Sequence, residues 1–158
     1  MICLNIYVKD NEFPDCFPDN FKDEILPEDA KPQGLSVYRV CKNGSINNEA
    51  FCSSYEEALK KGLDKQSAPL KARKNFRRNL RDPGFFATSC FLEKYQLELA
   101  LDTFLRRCNN AKIVAGEMAL EDGLSQITTE RNPRGKKGHV DWWLYKTSNP
   151  AGYFREVN

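Results

Sequence analysis

Nine residues near the carboxyl end, Gly138-His139-Val140-Asp141-Trp142-Trp143-Leu144-Tyr145-Lys146, restrict the fold more than any other stretch. Alternate side chains of a strand share a face, so Val140, Trp142 and Leu144 lie together and His139, Asp141, Trp143 and Tyr145 lie opposite. The stretch holds the sole histidine and both tryptophans of the chain. Its first face reads as core. Its second is apolar in body and polar at its tips, the chemistry of a pocket wall or a partner-facing surface.

A strand of this kind needs a sheet, and further segments supply one. Residues 1–8, 34–40, 85–91, 112–120 and 153–157 read as strands, and 125–130 as a short edge strand. Gly116 invites a close approach to its own strand. Asn43-Gly44 and Asp82-Pro83-Gly84 mark turns. Ser54 followed by Glu57 predicts a capping box that opens a helix over 55–61, which Gly62 closes. Phe76 and Leu80 would dock a basic helix over 71–81. Leu97, Leu101, Phe104, Leu105 and Cys108 give the core stripe of one long helix over 91–108, with Thr88 or Ser89 as its cap. Residues 9–34, with four prolines among many acids, read as irregular chain pinned by Phe13, Phe17 and Phe21, a lid, a strap or a surface connection. The expectation is therefore a single α+β domain over 1–158, with a mixed or mainly antiparallel sheet, one long helix and short helices. At 158 residues one core suffices.

Charge is distributed unevenly. Residues 1–34 carry a net charge of −5, and the remainder therefore +7. A basic body points to an anionic small molecule or a nucleic acid as partner, or to two solvated surfaces of opposite sign. The six cysteines contain no CxxC pair, and the opening residues lack a basic leader, so reduced thiols and a cytoplasmic location are expected. With one histidine and no ligand spacing, no metal is expected. No run of about 18 apolar residues exists, so no membrane span is expected.

Chemistry concentrates in three places. Arg39 stands on an otherwise apolar strand face, where guanidinium rarely lies unpaired. Thr88-Ser89 follow an apolar run, and His139-x-Asp141 open the aromatic strand. A Ser89, His139 and Asp141 set lacks the glycines of a nucleophile elbow, and two positions apart on one strand is a poor spacing for a carboxylate to aim an imidazole. A Cys90–His139 pair carries no family signature.

The order of arginine on an early strand, hydroxyls on a middle strand and polar residues on a late one resembles the ADP-ribosyltransferase-like fold. The resemblance covers three short patches. It implies Arg39 on NAD phosphates, Ser89 holding the active-site arrangement, and Trp143 or Tyr145 stacking on nicotinamide. The reading of the residues themselves adds Thr88 as a ligand contact and sets His139 and Asp141 with Ser89 as catalytic candidates. The family's late-strand glutamate has no clear counterpart, since Asp141 is one methylene shorter and Glu156 sits in the tail. The implied activity is ADP-ribosyl transfer or NAD glycohydrolysis.

A non-enzymatic alternative uses the basic residues Arg73, Lys74, Arg77, Arg78 and Arg81, with Arg134, Lys136 and Lys137, against nucleic acid or protein. A third reading sets the acidic segment 10–29 against a basic protein partner.

Overall fold

The computed structural model describes residues 11–158, so the expected strand at 1–8 lies outside the described residues. Six strands form one sheet: β1 (Ser36–Cys41), β2 (Thr88–Phe91), β3 (Lys112–Glu117), β4 (Gly123–Ile127), β5 (His139–Leu144) and β6 (Arg155–Glu156). Their spatial order is β4-β5-β2-β1-β3-β6, and every neighbouring pair is antiparallel. With the helices that accompany it, the sheet makes a compact α+β fold. The central seam is thin. β1 and β3 pair from Ser36↔Glu117 to Cys41↔Lys112, whereas β1 and β2 meet in register at Tyr38↔Phe91.

Both faces of β5 are covered. Val140 and Trp142 pack with Val37, Cys90, Val114 and Phe154 in one cluster. Trp143 packs on the other side with Phe17, Phe21, Tyr55 and Phe86. Residues 13–30 add Phe13, Phe17, Phe21, Ile25, Leu26 and Ala30 to that second cluster, so the acidic segment is a strap whose aromatic side chains complete the core. Phe21 is 2% exposed and meets the Phe86 ring at 5.2 Å. Lys31 extends the strap to the sheet edge, exchanging both main-chain hydrogen bonds with Ser125 of β4.

The helices are α1 (Ser54–Lys60), α2 (Leu70–Asn79), α3 (Lys94–Ala100), α4 (Asp102–Arg107) and α5 (Thr128–Arg131). The capping box is real but one residue earlier than expected, with Ser53 Oγ accepting from Glu56 N–H and Glu56 answering Ser53 N–H. Gly62, at φ 68°, ends that turn. Basic helix α2 forms where the pattern placed it, docking Phe76 and Leu80 on the strap-side cluster.

The single long helix is a correction. β2 runs through Phe91, and α3 and α4 follow as two short helices broken at Leu101, whose φ and ψ are −114° and 20°. The apolar stripe survives the break, because Leu97, Leu101, Phe104 and Leu105 all pack with Val40 and Phe91. Thr88 and Ser89 are therefore strand residues and cap nothing; the residue before α3 is Glu93. The expected edge strand also shortens, since Thr128 turns the chain into α5 directly after β4.

The close approach at Gly116, expected of a backbone or a ligand, is made by a core side chain: a Cβ there would lie 2.8 Å from the Phe154 ring. No helix among the described residues is long and apolar enough to cross a membrane.

Candidate functional site

The strand order places β5, β2 and β1 side by side, and with them His139, Ser89 and Arg39. Ser89 is in register with Asp141, and Phe91 with His139. A cavity of about 150 Å³ opens beside these residues, with Leu97 of α3, Lys136 of the basic loop and Glu57 of α1 on its wall. A second concavity, of about 500 Å³, shares Arg39, Lys42 and Glu57 with the first. Arg39 stands where they meet.

Arg39 is only 8% exposed. Its Nε donates to the Ala50 carbonyl at 2.7 Å, Nη1 to Ser89 O at 2.6 Å and Nη2 to Cys52 O at 3.3 Å. The bond to Ser89 helps fill the thin β1–β2 seam, and the other two tie β1 to residues 50–52. Guanidinium carries five N–H groups, so two remain for another acceptor. Among the described residues no carboxylate forms an ion pair with Arg39.

His139 forms a chain of polar contacts. Its Nε2 lies 3.0 Å from Ser89 Oγ and its Nδ1 lies 2.6 Å from Thr128 Oγ1. Thr128 donates to Asp141 Oδ2 at 2.8 Å, and Arg131 Nη2 donates to the same oxygen at 2.9 Å. Arg131 also donates to Gln126 Oε1, whose amide Nε2 in turn donates to Asp29 of the strap at 2.6 Å. The Asp141 side chain is 2% exposed. Burial lowers the His139 pKa below its ordinary 6.5; Asp141 opposes the shift, while Lys136, Arg131 and Arg39 add to it. The imidazole is therefore neutral near pH 7.

The direct His139 Nδ1 to Asp141 Oδ1 distance is 3.7 Å, too long for a hydrogen bond. The spacing objection raised by the sequence holds for the direct pair. Thr128 answers it by standing between them.

Gly138 delivers the chain into this strand at φ 76°, where side chains are strained. A Cβ there would collide with the Gln96 side-chain amide of α3.

Several expected site residues lie elsewhere. Trp143 is fully buried, and its indole N–H donates to the Pro83 carbonyl at 2.9 Å, so it is a core residue with no ring face left for nicotinamide. Tyr145 is 9% exposed and packs on Phe13, beside a different concavity. Thr88 is 2% exposed, with its hydroxyl donated to Phe51 O at 2.6 Å, so it holds the fold and has no proton left for a ligand. Asp141 is likewise sealed behind Thr128 and Arg131, which corrects its expected place at a reacting centre to a supporting one. Cys90 points into the opposite core cluster, and burial pushes its thiol up to about 12, so it is no nucleophile.

The basic residues divide. Lys71, Lys74, Arg77, Arg78 and Arg81 are exposed on and just after α2, while Arg73 donates to Ala68 O at 3.1 Å. Arg134, Lys136 and Lys137 are exposed on the loop before β5, and Lys136 alone of these reaches the cavity wall. No ion pair or hydrogen bond joins the two segments among the described residues. Among the described residues no group of three or more His, Cys, Asp or Glu side chains is placed to hold a metal ion.

Sequence reasoning missed three contributors. Thr128 and Arg131 carry no motif and reach the site only through the β4–β5 pairing. Glu57, taken for half of a capping box, is the single carboxylate lining the smaller cavity among the described residues, where it pairs with Lys42 at 3.0 Å.

These elements define an antiparallel α+β protein with a cationic pocket, in which a neutral histidine stands beside a serine. Compared with protein-family models, curated proteins and solved structures, the chain matches none.

Proposed function

We propose that this pocket binds an anionic, nucleotide-like ligand, with NAD as the ligand class and cleavage of its nicotinamide–ribose bond, or transfer of its ADP-ribose, as the reaction. The observation that carries the reading is Arg39: a buried cation without a carboxylate partner among the described residues, held by main-chain carbonyls with two N–H groups not used in those bonds. A buried charge is costly unless paired, and an incoming phosphate completes the pairing. Lys136 adds a second positive group at the wall. The joined concavities suit an elongated ligand, with one end beside Ser89, His139 and Leu97 and the other along Lys42 and Asn43.

The resemblance to the ADP-ribosyltransferase-like fold gives the reading its chemistry. Arginine, hydroxyl and late-strand polar residue occupy adjacent strands here, β1, β2 and β5. Where the family uses a glutamate to steady an oxocarbenium-like ribose, Asp141 is occupied, and Glu57 is the carboxylate on the wall. Neutral His139 would accept the proton of the attacking water or acceptor group. The protein would act in the cytoplasm.

A thermal-shift comparison of the protein with NAD, ADP-ribose, ATP and a short single-stranded oligonucleotide tests this. A ligand at 100 times its Kd adds about 2.7 kcal/mol, readily seen as a higher Tm. Stabilisation by NAD or ADP-ribose that weakens in Lys136→Glu supports the pocket. Silence from every nucleotide overturns it.

A second reading has its own observation. Among the described residues, none of the cations on and just after α2 is paired with an acid. Such a face fits phosphates or an acidic protein surface. Oligonucleotide affinity that falls steeply with salt, and whose salt slope flattens in Arg77→Ala with Arg78→Ala, would make α2 a nucleic-acid surface.

A further inference from the structure

The hydroxyl of Thr128 joins two groups that do not bond each other, and its single proton settles the state of both. A carboxylate only accepts hydrogen bonds, so the 2.8 Å contact with Asp141 Oδ2 takes the Thr128 proton. What Thr128 then presents to His139, 2.6 Å away, is a lone pair. His139 Nδ1 must meet it with N–H. A neutral imidazole has one ring proton, so Nε2 is left bare, and at 3.0 Å it accepts the Ser89 hydroxyl.

We infer that Thr128 is the positioning residue of the pocket: leaning on Asp141, it fixes His139 as the Nδ1–H tautomer and leaves Nε2, the nitrogen facing Ser89, as the base. Asp141 is held in turn by Arg131, so the donor order runs from Ser89 to His139, from His139 to Thr128, and from Thr128 to Asp141. Every group facing the ring fits this state. Arg39 on β1, Arg131 on α5 and Lys136 in the loop disfavour a second ring proton; Asp141 on β5 opposes them, and Glu57 of α1 lines the same cavity. From β2, Phe91 meets the imidazole edge to face at 5.1 Å, holding its plane without offering a competing acceptor.

Asp141 cannot do this alone, because its other oxygen lies 3.7 Å from Nδ1. Thr128 supplies the reach that a strand spacing of two denies. The assignment of Nε2 as a base rests on the proposed reaction at this pocket; the tautomer itself does not. Failure of NAD to bind would leave it standing, and the wrong tautomer would sink it whatever NAD does.

The chain's sole histidine makes the measurement unambiguous. With 15N-labelled histidine, long-range nitrogen–proton spectra near neutral pH should show one protonated ring nitrogen, Nδ1, and one bare nitrogen, Nε2. Thr128→Val keeps the shape and removes the hydroxyl; it should lose the Nδ1–H signature, and Thr128→Ser should restore it. Backbone amide and indole signals report whether each variant stays folded. An Nε2–H tautomer in the unaltered protein overturns the inference, even if Thr128→Val fails to fold. So does a folded Thr128→Val whose histidine spectrum is unchanged.

Discussion

Arg39 Nη1 donates to the main-chain oxygen of Ser89 at 2.6 Å and so ties β1 to β2 where their strand pairing is thinnest. The same side chain serves Ala50 and Cys52, which makes it a structural staple before it is anything else. Arg39→Ala orphans three carbonyls at about 1 kcal/mol or more each, so a loss of at least about 3 kcal/mol is expected. Arg39→Lys should recover only part of it, because an ammonium cannot match the planar fork. Urea denaturation checks both, and a loss below about 1 kcal/mol in Arg39→Ala would show that the carbonyls find other donors.

Buried Asp141 and half-buried Arg131 form an ion pair at 2.9 Å. Removing one partner leaves a stranded charge, so Arg131→Met should cost about 3–5 kcal/mol. Arg131→Met with Asp141→Leu should cost clearly less than the sum of the two single changes, since neither charge is then left alone. A double-mutant cycle by chemical denaturation gives the answer, and strict additivity would mean that the pair contributes nothing.

The lowered His139 pKa makes stability depend on pH. Between the folded value and the ordinary 6.5 the unfolded chain binds the proton and the folded chain does not. Stability is therefore unaffected by this group above 6.5 and falls as pH drops through that window. Because His139 is the only histidine, His139→Gln should flatten this part of the profile in Tm scans across mildly acidic pH. An unchanged slope in His139→Gln would assign the acid sensitivity to carboxylates instead.

The strap behaves as core if its aromatics are doing what their burial indicates. Phe21→Ala removes a ring 2% exposed and should cost about 3–5 kcal/mol. The loss should appear as a lower midpoint of one cooperative transition. A detachable lid would instead give an early, separate transition with the sheet intact.

The strands are legible because turn residues and apolar patterning act locally: β1, β3 and β5 fall where they are expected, and Gly44 and Gly62 take the positive φ their turns need, whereas Phe85 and Phe86, expected in β2, form a 3-10 turn before Thr88. The break at Leu101 carries no glycine or proline and follows from packing α3 and α4 around Val40 and Phe91. The capping box shifted because Ser53 and Ser54 each precede a glutamate by three, leaving two equivalent choices. Of the site, Arg39, Ser89 and His139 were found as residues with unusual surroundings in sequence. Thr128 was not, since one threonine after a strand looks like any other until β4 pairs with β5 and points it at the imidazole. Trp143 misled for a related reason: alternation assigns it a face but cannot reveal that the strap covers that face too.

The Lys31–Ser125 bridge has a consequence for how this protein meets others. It occupies main-chain groups on the outer edge of β4, and at the opposite end of the described sheet β6 is only two residues long. Neither edge of the described sheet therefore offers a long row of open amides and carbonyls on which a foreign strand could grow. At these two edges strand addition is disfavoured, and so is the edge-to-edge stacking that begins a fibril. A partner that docks on the described sheet has to read side chains.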